Sequence, residues 1–147
     1  MLLVTNATNT IDFNILETVL SIRFSFILTN DGILFACGKN KFGVLGVSDC
    51  RVRYKPTKLA IPIKVVKVDF HDNTAICLSE EGKVFTWGKH SHGIKQDLSY
   101  KFIDSSVPIE VDILTSTCVV DIGAAASHFY AITHDRVNLL TWGKLFT

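Results

Sequence analysis

One phrase recurs along this chain and constrains its fold more than any other feature. It is clearest as Gly82-Lys83-Val84-Phe85-Thr86-Trp87-Gly88-Lys89. An earlier copy reads Gly32-Ile33-Leu34-Phe35-Ala36-Cys37-Gly38-Lys39, and a later one Leu139-Leu140-Thr141-Trp142-Gly143-Lys144. Gly38, Gly88 and Gly143 are 50 and 55 residues apart. The preceding segments repeat as well: Phe26-Ile27-Leu28-Thr29 aligns with Ile76-Cys77-Leu78-Ser79 and with Tyr130-Ala131-Ile132-Thr133, at spacings of 50 and 54. A third anchor pairs Pro56-Thr57-Lys58-Leu59 with Pro108-Ile109-Glu110-Val111, 52 residues on. A supersecondary unit of this length cannot bury both its faces alone, so neighbouring units must stack on it.

Each unit reads as β. The runs Ile22–Thr29, Ile33–Cys37, Thr74–Ser79, Val84–Trp87, Phe129–Thr133 and Leu139–Trp142 are short and rich in β-branched and aromatic residues. Asn30-Asp31-Gly32 and Glu80-Glu81-Gly82 separate consecutive runs, and glycine there supplies the positive φ of a tight hairpin turn. Lys64–Phe70 and Cys118–Ile122 are further strand candidates, each ahead of a hairpin. Ile11–Leu20, apolar at Ile11, Ile15, Val19 and Leu20, is the one stretch with helical spacing. Several strands per unit at a period near 50 imply an all-β, antiparallel array such as a partial β-propeller of about two to three four-stranded blades. We expect a lead-in over 1–17 and repeats over 18–147, in units of about 18–67, 68–121 and an incomplete 122–147.

The combined pattern resembles the regulator of chromosome condensation repeat. Gly32–Gly46, with Gly38-Lys39-Asn40-Lys41-Phe42-Gly43-Val44-Leu45-Gly46, matches best; Trp87-Gly88-Lys89-His90-Ser91-His92-Gly93 follows, and then Gly123, His128–Thr133 and Trp142-Gly143-Lys144. The copies depart from the family. Cys37 replaces a tryptophan, Val44 stands where glutamine is favoured, and Ile94-Lys95-Gln96 replaces the Leu-Gly ending. The histidine slot before the hairpin holds Phe24, Thr74 and then His128. The resemblance implies a seven-bladed propeller. Some members promote nucleotide exchange on small GTPases such as Ran, and others are binding modules attached to kinase, ubiquitin-ligase or trafficking domains. It also implies structural roles for Gly32, Gly38, Gly43, Gly46, Gly82, Trp87, Gly88, Gly93, His128, Trp142 and Gly143, with the tryptophans packed between blades and His128 buried and hydrogen-bonded.

The chemistry-bearing residues each have a plainer role. His90 and His92 form a His-x-His pair with Asp97 as the nearest third ligand, and a solvated turn accounts for them better than a metal site. His71-Asp72 and His134-Asp135 lack an activated Ser or Cys. Asp69, Asp104 and Glu110 are not paired as a hydrolase requires. The glycines are followed by no lysine-bearing loop that opens a helix, as a phosphate cradle demands. Cys37, Cys50, Cys77 and Cys118 lie at neither metal nor redox spacing and read as small buried hydrophobes in a reducing compartment. No catalytic, cofactor-binding or metal residue is therefore assigned, and we expect no enzyme.

Fifteen basic against fourteen acidic residues leave a formal charge of +1, which supports no direct grip on nucleic acid. No apolar run reaches membrane-spanning length, and the Met1-Leu2-Leu3-Val4 start lacks a signal peptide's basic flank. We expect an intracellular protein, cytoplasmic or nuclear. The most basic region runs from Arg51 to Lys67, and Arg51, Arg53, Lys55 and Lys58 are its candidate partner surface. The expected function is a protein-binding scaffold, a fragment of a larger regulatory protein or a protomer that closes itself by self-association. The alternative is guanine-nucleotide exchange on a small GTPase.

Overall fold

The computed structural model describes residues 14–96, 99–111, 114, 116–125, 128–135 and 138–143, with backbone alone over 90–103 and at Gly143. The repeats fold into three antiparallel sheets in chain order. The first holds β1 (Ile15–Leu20), β2 (Phe24–Thr29), β3 (Leu34–Gly38) and β4 (Arg53–Lys58). The second holds β5 (Val65–His71), β6 (Thr74–Ser79), β7 (Val84–Gln96) and β8 (Ser99–Glu110). The third holds β9 (Val119–Ala124), β10 (His128–Thr133) and β11 (Leu139–Gly143). Each is a meander in which every strand pairs with its sequence neighbour, as short hairpin connections dictate. Ile15–Leu20 is a strand, not the helix its spacing suggested. Pairing with β2, from Ile15↔Thr29 to Leu20↔Ser25, overrides an apolar spacing too short to nucleate a helix. Residues 11–13 of that candidate lie outside the described residues.

The repeat alignment becomes a packing rule. Side chains alternate along a strand, and in the second sheet one set faces the first sheet and the other faces the third. Phe24, Phe26 and Leu28 of β2 meet Ala75 and Cys77 of β6 in one core, joined by Phe85 and Trp87. Ile76 and Leu78, the other face of β6, meet Phe129 and Ala131 of β10 in a second core with Val84 and Ile122. This explains why Ala75-Ile76-Cys77-Leu78 is apolar without alternation: both faces are covered, and all four are buried. Complete burial of one such side chain stabilises by ~1.5–3 kcal/mol, against ~1 kcal/mol for a typical hydrogen bond. Sheet stacking, more than any single polar contact, therefore holds the units together. The first core is aromatic, with Phe24 4.9 Å from Phe70 and Phe26 edge-on to Trp87 at 5.7 Å.

Polar clamps join the second and third sheets. The first strand of each sheet shifts register near its start, and Glu17, Lys67 and Asp121 follow the shift in equivalent places. Lys67 Nζ donates to Asp121 Oδ1 at 2.5 Å, and Ala124 N donates to Asp69 Oδ2 at 2.9 Å. Burial pulls the Lys67 pKa down, but the hydrogen bond and charge of Asp121, with help from Tyr130 and Asp69, leave it above the ordinary lysine value. Gly38 and Gly88 show why the closing glycine repeats. Their φ values are +111° and +97°, and a Cβ would lie 2.5 Å from Arg23 O and 2.1 Å from Asn73 O. At both places the strand crosses directly over the backbone of the preceding turn.

Candidate functional site

The first repeat carries its phrase through Gly46 and builds a closed loop from it. Lys41–Gly43 make one 3-10 turn. The buried Asn40 side chain ties the ends: Leu45 N donates to Asn40 Oδ1 at 2.9 Å, and Asn40 Nδ2 donates to Asp49 O at 2.7 Å. Val44 and Leu45 are thereby pressed into the first core. The second sheet receives this loop. Trp87 Nε1 donates to Val44 O at 2.7 Å, Ser48 N donates to Ser106 O at 2.8 Å, and Gly43 lies against Ser106. The repeat tryptophan thus reaches back to hold the loop of the preceding unit.

The second copy does not close in this way. His90 stands in the place of Asn40, and Lys95-Gln96 in the place of Leu45-Gly46. Instead β7 runs on to Gln96, with Gly93 opposite Phe102 and Gln96 opposite Ser99. Ile94, the counterpart of Val44, is held in that ladder opposite Lys101. Trp142, the counterpart of Trp87, stacks on Phe129 at 5.5 Å, but its buried Nε1 has no hydrogen-bond partner among the described residues. The same residue type at the same repeat position is satisfied in one unit and orphaned in the next.

From the first loop the chain passes into β4, the edge of the first sheet. Asp49 anchors this passage. Arg53 Nη2 donates to Asp49 Oδ2 at 2.7 Å and Arg51 N to Asp49 Oδ1 at 2.8 Å. Hydrogen bonding from Arg53, then from the Arg51 backbone, holds the Asp49 carboxyl below its ordinary pKa. Tyr54 is 87% exposed and Val52 44%, beside exposed Arg51 and Lys55. Pro56 and Lys55 guard this edge against pairing with another strand. The basic candidates therefore separate. Arg51 and Lys55 are exposed at the loop end and form no ion pair among the described residues, whereas Arg53 is bound by Asp49. Lys58 sits at the far end of β4, beside Asp31 and Lys64, around a cleft of about 170 Å³. Lys67 is engaged by Asp121.

A cluster that sequence spacing could not show lies on the same loop. Lys41 Nζ and Lys89 Nζ each sit 5.0 Å from the centre of the Phe42 ring. Phe42 holds φ 59°, ψ 17°, a left-handed conformation that costs an L-residue ~1–2 kcal/mol. Each exposed cation–π contact returns ~0.5–1 kcal/mol, so the arrangement gains the fold about nothing.

Other sequence candidates find plainer places. Gly32, Gly46 and Gly82 occupy positive-φ turns. Gly143 pairs with His128 across β10 and β11. His128 is exposed, contrary to its expected burial, because it begins β10 on the face turned away from the second sheet. Cys37 and Cys77 are buried, which raises both thiol pKa values. Cys50 and Cys118 are exposed instead, in the loop before β4 and the turn before β9. His71 Nδ1 is 3.7 Å from Asp72 Oδ2, too far for a hydrogen bond. His134 is exposed, and Asp135 bonds Thr133 Oγ1. The side chains of His90 and His92, and Asp97 entirely, lie outside the described residues. Among the described residues no three His, Cys, Asp or Glu side chains gather as a metal site, and no helix is long and apolar enough to cross a membrane.

Comparison with known proteins bears on this architecture directly. The family model of the regulator of chromosome condensation (RCC1) repeat matches residues 31–78, which hold the clamped loop and the start of the second sheet. The chain belongs to the regulator of chromosome condensation repeat family. It is 31% identical over 127 residues to the Drosophila melanogaster regulator of chromosome condensation, covering 84% of this chain and 21% of that protein. It is 30% identical over 122 residues to human probable E3 ubiquitin-protein ligase HERC4, covering 81% of this chain and 11% of that one. The chain thus spans about a fifth or less of these curated relatives. The crystal structure of Prp20p from Saccharomyces cerevisiae superposes with a TM-score of 0.71 at 22% identity, over 88% of this chain and 33% of that one. The three sheets are accordingly blades of a partial RCC1-type β-propeller.

Proposed function

We propose that this chain is a protein-binding scaffold, whose stacked blades present the loop end of the first sheet to another protein without bond chemistry of their own. The observation that carries this reading is the passage from the clamped loop into β4. Tyr54, Val52, Arg51 and Lys55 are exposed together there on a backbone fixed by Asn40, Asp49 and Arg53. Exposed aromatics and arginines on a rigid base are the residues that carry binding energy at interfaces. The repeat positions Gly32, Gly38, Gly43, Gly46, Gly82, Trp87, Gly88, Gly93, His128, Trp142 and Gly143 belong in this reading to the scaffold. The test is charge reversal with R51E/K55E. Partner capture by affinity purification should fall while the circular dichroism spectrum is retained. Unchanged capture removes this surface from the account.

A second reading, guanine-nucleotide exchange on a small GTPase, is favoured by the likeness to the Drosophila regulator of chromosome condensation. The Prp20p structure is also described together with its binding to Gsp1p and histones. Such exchange would displace nucleotide contacts through loops and would need no catalytic residue. Accelerated nucleotide release from a purified small GTPase at catalytic amounts of this chain would establish it, and unaltered release would dismiss it.

A further inference from the structure

We propose that Lys41, Phe42 and Lys89 form a docking site for an acidic peptide segment. The inference rests on the binding-scaffold reading and names the partner chemistry at a second place on the same loop. Lys41 and Lys89 are 48 residues apart in sequence, and stacking of the first sheet on the second brings both ammonium groups to one ring. Both backbones are fixed. Lys41 O accepts from Val44 N, Lys89 N donates to Asn73 O, and Lys89 O accepts from Thr74 Oγ1. Among the described residues neither lysine forms an ion pair. The loop's own carboxylate, Asp49, is taken by Arg53, and Asp72 of the adjoining turn faces His71. Arg23 and Lys39 add exposed positive charge at this end, tied together by the Lys39 N to Arg23 O hydrogen bond.

Two like charges converge here on a backbone conformation unfavourable to phenylalanine, and neither is ion-paired among the described residues. Strain held where stability gains nothing points to a use. The chemistry that answers it is a pair of carboxylates, one for each ammonium, on a segment whose aliphatic stems lie along the exposed part of the ring. One exposed ion pair is weak, so a single acid would not be retained, and two held at fixed spacing act together. A nucleic acid fits less well. It needs a stripe of cations along a backbone, whereas this is a local pair in a chain of net charge +1.

The experiment is fluorescence anisotropy of the complete chain with a labelled, alternating Glu–Ala peptide, its Gln–Ala counterpart and a single-stranded oligonucleotide. The Glu peptide should bind in a salt-sensitive manner and the Gln peptide should not. K41E/K89E should weaken binding by about tenfold or more, the loss of two coupled pairs. K41M/K89M removes the charges without adding acids and should lose binding with an unchanged circular dichroism spectrum. R51E/K55E should alter peptide affinity by less than K41M/K89M does. Equal binding of the two peptides, tighter binding of the oligonucleotide, or full affinity in K41M/K89M would overturn the proposal. Those results leave the scaffold reading standing if R51E/K55E still abolishes partner capture.

Discussion

Replacing each tryptophan by phenylalanine should produce unequal effects, although both occupy the same repeat position. In Trp87→Phe the ring still faces Phe26, but the Val44 carbonyl, buried between the sheets, loses the indole donor at 2.7 Å. A buried acceptor stripped of its partner costs ~1–3 kcal/mol, and a void of methyl size adds ~1 kcal/mol. The total is ~2–4 kcal/mol. In a chain of this size that lowers the melting temperature by roughly 5–15 °C. In Trp142→Phe the smaller ring leaves a similar void, but the removed N–H has no partner among the described residues, so an existing penalty is relieved. The net change should lie within ~1 kcal/mol of zero. The assay is urea denaturation of the complete chain followed by circular dichroism at the β minimum, since each substitution also removes a fluorophore. Equal losses for the two variants would refute the claim that the clamp operates at the first junction and is absent at the second.

Other consequences follow from the same contacts. Asn40→Ala should cost ~1–3 kcal/mol and accelerate hydrogen exchange at the Leu45 amide, because that amide loses the Asn40 side-chain acceptor; an unchanged rate would mean that the loop closes without Asn40. Gly88→Ala should cost at least ~2 kcal/mol, since a positive-φ penalty adds to a Cβ placed 2.1 Å from Asn73 O; a smaller loss by denaturation would show that the turn gives way freely. The Asp49 pKa is lowered by folding, so its contribution is present above the unfolded value of about 4 and is lost as pH falls through the folded one. Asp49→Asn should therefore flatten the acid limb of a stability-against-pH curve and lower the neutral-to-alkaline plateau without changing its slope. Lys67 and Asp121, both partly exposed, should show a double-mutant coupling no larger than ~1 kcal/mol, and a much larger value would make this ion pair, not the apolar core, the principal tie between the second and third sheets.

The β architecture was legible because the repeat makes equivalent residues predict one another. Gly38 and Gly88 mark the same crossing over a turn, and Phe26 and Ile76 each face the following sheet. Strand β4 was hidden because Arg53–Lys58 is polar and proline-bearing, as suits an exposed edge. The length of β7 was hidden because the signal was a loss: without a second Asn40 and Leu45, nothing in the local pattern says that the chain continues as a ladder with β8. Basic residues could be counted in the sequence, but not sorted. Only geometry shows that Asp49 claims Arg53 and Asp121 claims Lys67 while Arg51 and Lys55 stay exposed. The Lys41–Phe42–Lys89 cluster was invisible for the same reason, since it exists only where two sheets stack.

Cross-linking mass spectrometry between the complete chain and its captured protein partner, with a lysine-reactive reagent, most directly tests whether the loop end of the first sheet is the working surface. The account expects cross-links through Lys39, Lys41, Lys55 and Lys89, and their loss together with capture in R51E/K55E. Cross-links confined to Lys58, Lys64 and Lys83 at the opposite end of the blades, and unaffected by that substitution, would contradict it.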